Sequence, residues 1–99
     1  MFGLSENEIE IIRSIFSKYS QVSRVEIFGS RVKNTFNERS DIDLVIKNEI
    51  DETIISQILN DFDESDLIYK VDLKSIASIK NVDLLDHIER LGKVVYESE

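Results

Sequence analysis

The segment Ser40-Asp41-Ile42-Asp43-Leu44-Val45-Ile46 sets two carboxylates among aliphatic side chains, over a length typical of a β-strand. Side chains alternate along a strand, so Asp41 and Asp43 share one face, about 6.6–6.8 Å apart at their α-carbons. The apolar residues on the other face are Ile42, Leu44 and Ile46. Two carboxylates this close repel each other unless a cation lies between them. The pair indicates either a cation site or, since the pattern alone is common, a solvated strand edge.

Runs rich in β-branched and aromatic residues predict three strands, which are Arg24–Phe28, Asp41–Ile46 and Leu67–Leu73. A further extended segment is expected over 94–96. Because a predicted helix separates the second strand from the third, these two can be parallel, whereas the short loop between the first and the second fits either direction.

Apolar residues at the spacing of one helix face predict two amphipathic helices. Ser5 and Glu8 form a capping box at the start of the first helix, and Asp51 is the expected N-cap of the second. A third helix is predicted over Asn81–Leu91, with Gly92 in the left-handed conformation just past its end. The fold class is therefore α/β (α+β), a small mixed sheet covered by helices.

The composition fits one domain over residues 1–99 with a modest core, since 41% of the 99 residues are hydrophobic. The chain has no cysteine and a single histidine, His87, so a thiolate zinc site, a disulfide, a cysteine nucleophile and a cage of several histidines are excluded. Any metal must be held by oxygen. A formal charge of −8 argues against direct binding of nucleic acid. No basic leader and no apolar run of roughly 20 residues is present, so we expect a cytoplasmic protein without a membrane segment.

The turn Phe28-Gly29-Ser30-Arg31 follows the first predicted strand. Glycine permits close backbone approach there, and the N–H groups of a first helical turn suit a phosphate. Ser30 adds a hydroxyl, and Arg31, Lys33 and Arg39 add positive charge to an acidic chain. The alternative is an ordinary strand-to-helix turn with solvated charges.

Asp72 lies among apolar residues in the third predicted strand, on the face opposite Val71 and Leu73. If the second and third strands are neighbours, its carboxylate joins those of Asp41 and Asp43. Three hard oxygen donors beside a phosphate cradle suit Mg²⁺, and two such ions serve phosphoryl or nucleotidyl transfer.

The motifs Phe28-Gly29-Ser30-Arg31 and Ser40-Asp41-Ile42-Asp43-Leu44 are separated so that ten residues lie between Ser30 and Asp41. With Asp72 and the ending 91–97, this pattern resembles the minimal nucleotidyltransferases of the polymerase-β-type superfamily over nearly the whole chain. Members often carry Ala-x-Gly where this chain has Val32-Lys33-Asn34. Asparagine tolerates positive φ, so the turn is expected to persist.

The resemblance implies a polymerase-β-type core and assigns roles to several residues. Gly29 and Ser30, with the neighbouring charge of Arg31, would bind the phosphates of ATP, and the catalytic carboxylates Asp41, Asp43 and Asp72 would hold Mg²⁺, with two ions expected. Members of this size often act as antitoxins of a HEPN-type ribonuclease toxin. Some transfer AMP from ATP to a tyrosine of that toxin.

Two other functions fit the same residues. The acidic chain could neutralise a ribonuclease by covering its basic face without catalysis. Transfer of a nucleotide to a small molecule is the third possibility, although such enzymes usually carry an additional acceptor-binding domain. The pattern also allows homo- or hetero-oligomers. His87 is expected to be a solvated residue of the last helix and not a general base.

Overall fold

Four strands form one mixed sheet in the computed structural model of the chain, which describes residues 1–33, 35–37 and 40–98. They are β1 (Arg24–Phe28), β2 (Ile42–Ile46), β3 (Val71–Ser75) and β4 (Lys93–Glu97). Their spatial order is β3-β2-β1-β4, with β1 antiparallel to both β2 and β4, and β2 parallel to β3. The predicted mixed sheet is confirmed, and its parallel pair is the one joined by a helical crossover.

Three helices lie among the described residues: α1 (Glu6–Ser17), α2 (Glu52–Asp63) and α3 (Val82–Leu91). Single 3₁₀ turns follow β1 at Gly29–Arg31 and β3 at Ile76–Ser78. None of the helices in the described part of the chain is both long and apolar enough to cross a membrane.

The starts of α1 and α2 differ in how they are capped. Ser5 and Glu8 form the predicted capping box, in which the Glu8 N–H donates to Ser5 Oγ at 3.1 Å and the Ser5 N–H donates to Glu8 Oε1 at 2.8 Å. Asp51 takes the predicted N-cap position of α2, but its side chain makes no capping hydrogen bond. Packing of its apolar face therefore contributes more to α2 than its cap does.

The two faces of the sheet bury different amounts of apolar surface. One face packs against α1 and α2 in the main core, which includes the fully buried residues Phe16, Ile12, Ile27, Ile42, Leu44, Ile46 and Ile58. The other face carries a small cluster beneath α3, formed by Phe28, Val45, Ile79 and Ile88. Because α3 covers only part of this second face, the remainder is open to polar side chains from β2 and β3.

The third predicted strand, Leu67–Leu73, is displaced in the structure. Leu67 is buried in the main core, but its N–H donates to Ser65 Oγ in a local turn, and pairing with β2 begins only at Val71. The strand then continues to Ser75. Apolar content alone could not separate the buried turn from the strand.

The prediction of a left-handed Gly92 is wrong, because Gly92 has φ −60° and ψ 140° and leads directly into β4. It is needed for another reason: a Cβ there would lie 2.6 Å from the Ile88 carbonyl oxygen and 2.6 Å from Glu26 Oε1. The expectations for Asn34 and Arg39 lie outside the described residues.

Candidate nucleotide and metal site

Asp43 of β2 and Asp72 of β3 are direct neighbours in the parallel ladder of the two strands. Their side chains leave the sheet on the same face, while Ile42 and Leu44 are fully buried on the other. Burial first, and then the charges of Asp72 and Asp41, raise the pKa of Asp43 above its ordinary value of 3.8. Asp43 therefore lies within electrostatic reach of both Asp72 and Asp41.

Lys74 lies two residues after Asp72 on the same face of β3. Its Nζ donates to both carboxylate oxygens of Asp72, at 2.9 and 2.8 Å. Both side chains are partly exposed, so the pair contributes little to stability. Lys74 is not among the residues predicted for the site, although the alternation Asp72-Leu73-Lys74 places the two charges on one face.

Gly29 carries the backbone from β1 into the 3₁₀ turn with a φ of +80°, a conformation that favours glycine. A Cβ built on Gly29 would collide with the Asp43 carboxylate. The turn thus approaches one of the three aspartates closely, and binding of a phosphate at the turn stays a prediction.

Ser30 accepts hydrogen bonds at its carbonyl oxygen from the N–H groups of Lys33 and Thr35, at 3.2 and 3.1 Å. These bonds fold the turn back on itself. Among residues 1–33, 35–37 and 40–98, none forms a hydrogen bond with the Ser30 hydroxyl.

Arg31 has a different position from the one expected of a phosphate ligand, because it is only 3% exposed. Its Nη1 and Nη2 donate to the carbonyl oxygens of Phe2 and Ser40 at 2.9 Å each, and its Nε donates to that of Asp41 at 3.3 Å. The ring of Tyr69 lies 4.5 Å from its guanidinium carbon. Arg31 thus ties the turn to the segment that precedes β2.

His87 of α3 is half-buried, contrary to the expectation of a solvated residue. Its Nε2 accepts a hydrogen bond from the Gly29 N–H at 2.9 Å, and its ring meets Phe28 edge to face. Burial and the charges of Lys33 and Arg90 lower the pKa of His87 below 6.5, against the opposing effect of Asp86. No sequence signal connects His87 with Gly29, which is 58 residues away.

The donor set fits a hard divalent cation, because the three carboxylates offer only oxygen and their mutual repulsion falls when a cation joins them. Burial is the first cause of the raised pKa of Asp43, and the charges of Asp72 and Asp41 add to it. Within residues 1–33, 35–37 and 40–98, however, no three acidic or histidine side chains are gathered closely enough to form a finished metal site. Asp72 is instead engaged with Lys74.

Comparison with known proteins identifies the family of this chain. The family model described as "Polymerase beta, Nucleotidyltransferase" matches residues 10–99. A protein of Haemophilus influenzae named "Probable protein adenylyltransferase MntA" is 32% identical over 98 residues, covering 97% of this chain and 85% of that protein.

Two solved structures have the same fold at low sequence identity. The first is described as a toxin-antitoxin with AMP-PNP; its TM-score is 0.71 at 22% identity, and the match covers 97% of this chain and 76% of that chain. The second is a mutant of the toxin-antitoxin MntA-HpeT; its TM-score is 0.70 at 20% identity, with the same coverage. These matches confirm the fold class predicted from the sequence. They also confirm the resemblance to the polymerase-β-type nucleotidyltransferases.

Proposed function

The chain belongs to the polymerase beta nucleotidyltransferase family and is a nucleotidyltransferase, and we propose that it transfers AMP from ATP to a hydroxyl of a partner protein with Mg²⁺ as cofactor. The observation that carries this proposal is the pairing of Asp43 and Asp72 beside the Gly29 turn. A triphosphate bound at that turn would have its negative charge next to the carboxylates, an arrangement that requires divalent cations between them.

Each part of the site has a defined role in the proposal. Ser30, through its hydroxyl, binds the phosphates at the turn that Gly29 opens, while Arg31 holds this turn to the segment that precedes β2. Asp41, Asp43 and Asp72 hold the ions, two of which are expected. When bound, Mg²⁺ neutralises the triphosphate and favours ionisation of the attacking hydroxyl.

The reaction forms one bond and breaks one. The acceptor oxygen attacks the α-phosphorus, and the bond from that phosphorus to the oxygen bridging the α- and β-phosphates breaks, so that pyrophosphate leaves. The hydroxyl proton passes to the Asp72 carboxylate, since 43% of the Asp72 side chain is accessible. Exposure on that side gives a protein acceptor access to the site.

A toxin of the HEPN type, modified at a tyrosine, is the proposed acceptor, and the chain would then act in the cytoplasm as its antitoxin. This proposal is supported by the name of the Haemophilus influenzae relative and by the two structurally similar toxin-antitoxin proteins. The carboxylates lie on a partly uncovered sheet face, so a partner can complete the enclosure of the acceptor.

The test is incubation of the purified protein with ATP, MgCl₂ and the product of the adjacent gene, followed by intact mass spectrometry. We expect the partner to gain the mass of AMP and a tyrosine to carry it. Asp41→Asn should abolish the gain. Omission of MgCl₂ with added chelator should do the same.

Neutralisation by covering the partner is the second candidate, and the formal charge of −8 favours it because a ribonuclease has a basic RNA-binding face. It predicts that wild type and Asp41→Asn protect equally, without any gain in mass. The complex would then weaken strongly with added salt.

A further inference from the structure

His87 joins the last helix of the chain to the turn that follows β1. The Gly29 N–H donates to His87 Nε2 at 2.9 Å, within the range of a good N–H···N contact. An imidazole nitrogen that accepts a hydrogen bond carries no proton, so in the neutral ring the proton resides on Nδ1. This contact therefore requires one protonation state and one tautomer of His87.

The position of His87 is fixed by the residues around it. The next residue, Ile88, is 1% exposed and packs with Phe28, Val45 and Ile79 beneath α3. The imidazole ring itself lies edge-on to Phe28, with 6.2 Å between the ring centroids. Since Phe28 directly precedes Gly29, the helix contacts both the last residue of β1 and the first residue of the turn.

This contact also decides which donors of the turn are available. The Gly29 N–H is used by His87, and the Lys33 and Thr35 N–H groups are used by the Ser30 carbonyl. The Ser30 hydroxyl is not used by any described residue. A phosphate at the turn is consequently met by Ser30 and not by the Gly29 N–H.

We propose that His87 is a positioning residue for nucleotide binding: its neutral imidazole holds the Gly29 N–H, fixes the left-handed turn against Asp43 and presents Ser30 to the phosphates. The proposal rests on the function proposed above. Burial and the nearby Lys33 and Arg90 lower the pKa of His87 and so favour the neutral ring, whereas Asp86 opposes this. His87 does not act as a general base in this role, because its accepting nitrogen, Nε2, already binds the Gly29 N–H.

The test compares His87→Leu, which has no acceptor, with His87→Gln, whose Oε1 can take the place of Nε2. The exposed Glu89→Gln on the same helix is the matched control. Hydrogen exchange and the chemical shift of the ¹⁵N-labelled Gly29 amide report the contact without nucleotide. Calorimetric titration with ATP in MgCl₂ reports binding, and adenylyl transfer gives KM and kcat separately.

His87→Leu is expected to speed exchange of the Gly29 amide and to raise the Kd and KM for ATP roughly two- to tenfold, with a much smaller change in kcat. His87→Gln should restore most of both effects. Long-range ¹⁵N spectra of the wild type should show the Nδ1–H tautomer.

Unchanged exchange at Gly29 in His87→Leu would refute the contact. An unchanged Kd with altered exchange would refute its role in nucleotide binding, as would a His87→Gln variant no better than His87→Leu in both measurements. The proposed function itself would be refuted if the wild type showed no heat on titration with ATP. The contact would still be established if exchange of the Gly29 amide differed between the wild type and His87→Leu.

Discussion

Gly29 and Asp43 approach each other so closely that no side chain fits between them, because a Cβ on Gly29 would overlap the Asp43 carboxylate. The first residue of the turn and the central carboxylate of the site are thus fixed relative to each other by backbone geometry. Any change at Gly29 should alter both the turn and the position of that carboxylate.

Gly29→Ala is expected to lower stability by about 1–2 kcal/mol from the left-handed φ alone, and to weaken ATP binding through the collision with Asp43. Gly92→Ala is the matched control, since it is also crowded but lies at φ −60° and leads into β4. It should lower Tm without changing ATP affinity. Calorimetric titration and thermal unfolding of both variants measure this, and equal ATP affinity for Gly29→Ala and wild type would contradict the close approach.

Asp43→Asn is expected to lower activity without lowering stability. It removes a cation ligand and should reduce transfer by on the order of 100-fold or more. It also removes a partly buried charge that faces Asp72 and Asp41, so Tm near neutral pH without added metal should stay equal or rise. A rate assay and a melting curve test the two halves, and a large loss of Tm would show that the charge is stabilising.

Lys74→Gln should make the protein more responsive to Mg²⁺. In the wild type the ammonium group neutralises Asp72, and a divalent ion must compete with it for those oxygens. Without Lys74, we expect a Tm in chelator close to that of the wild type, because the pair is partly exposed, and a larger rise of Tm on addition of MgCl₂. Lys80→Gln, an exposed lysine outside the site, is the control and should melt like the wild type in both conditions. An equal MgCl₂ response in all three proteins would show that Asp72 does not bind the ion.

Arg31→Met is expected to destabilise the fold by about 2–3 kcal/mol, because it leaves the carbonyl groups of Phe2, Ser40 and Asp41 without their buried donor. Arg90→Met removes an exposed ion pair with Asp86 and should cost less than about 1 kcal/mol. Urea unfolding of the two variants gives the comparison. Equal losses would mean that the guanidinium of Arg31 is not held as described.

The free energy of unfolding should fall as the pH is lowered, and part of this loss should come from protonation of His87. Its pKa is lowered below the ordinary 6.5, so the unfolded chain binds the proton more readily than the folded one. The contribution of the neutral His87 ring to the free energy of unfolding is complete above pH 6.5. It is lost as the pH falls through 6.5 towards the pKa of His87 in the folded protein. His87→Gln, which cannot titrate, should lose less unfolding free energy over that interval, and parallel curves for the two proteins would contradict the shift.

The sequence was sufficient for features that depend on local pattern. The Ser5–Glu8 capping box follows from residue types three positions apart. The shared face of Asp41 and Asp43 stays a prediction, because β2 begins at Ile42, one residue after Asp41. Asp72 could be added because parallel strands joined by a helical crossover are commonly neighbours, and β2 and β3 are so arranged. The catalytic roles of these residues stay predictions.

The remainder of the site depends on contacts between distant parts of the chain. The burial of Arg31 requires the Phe2 carbonyl, 29 residues away, and the contact of His87 with Gly29 requires α3 to cover one particular part of the sheet. Neither pairing leaves a periodicity in the sequence. Gly92 shows a related limit, since a glycine that ends a helix can serve either a left-handed turn or a tight approach, and only the packed structure distinguishes them.

The contact between α3 and the Gly29 turn also has a consequence for folding during synthesis on the ribosome. All three aspartates and the Gly29 turn are synthesised before residue 82, yet β4 pairs with β1 and His87 with Gly29 only after the later segments emerge. A nascent chain therefore carries the residues for nucleotide chemistry before it can hold them in place. Competence to bind ATP should be acquired as a late event of biosynthesis, coupled to completion of the sheet.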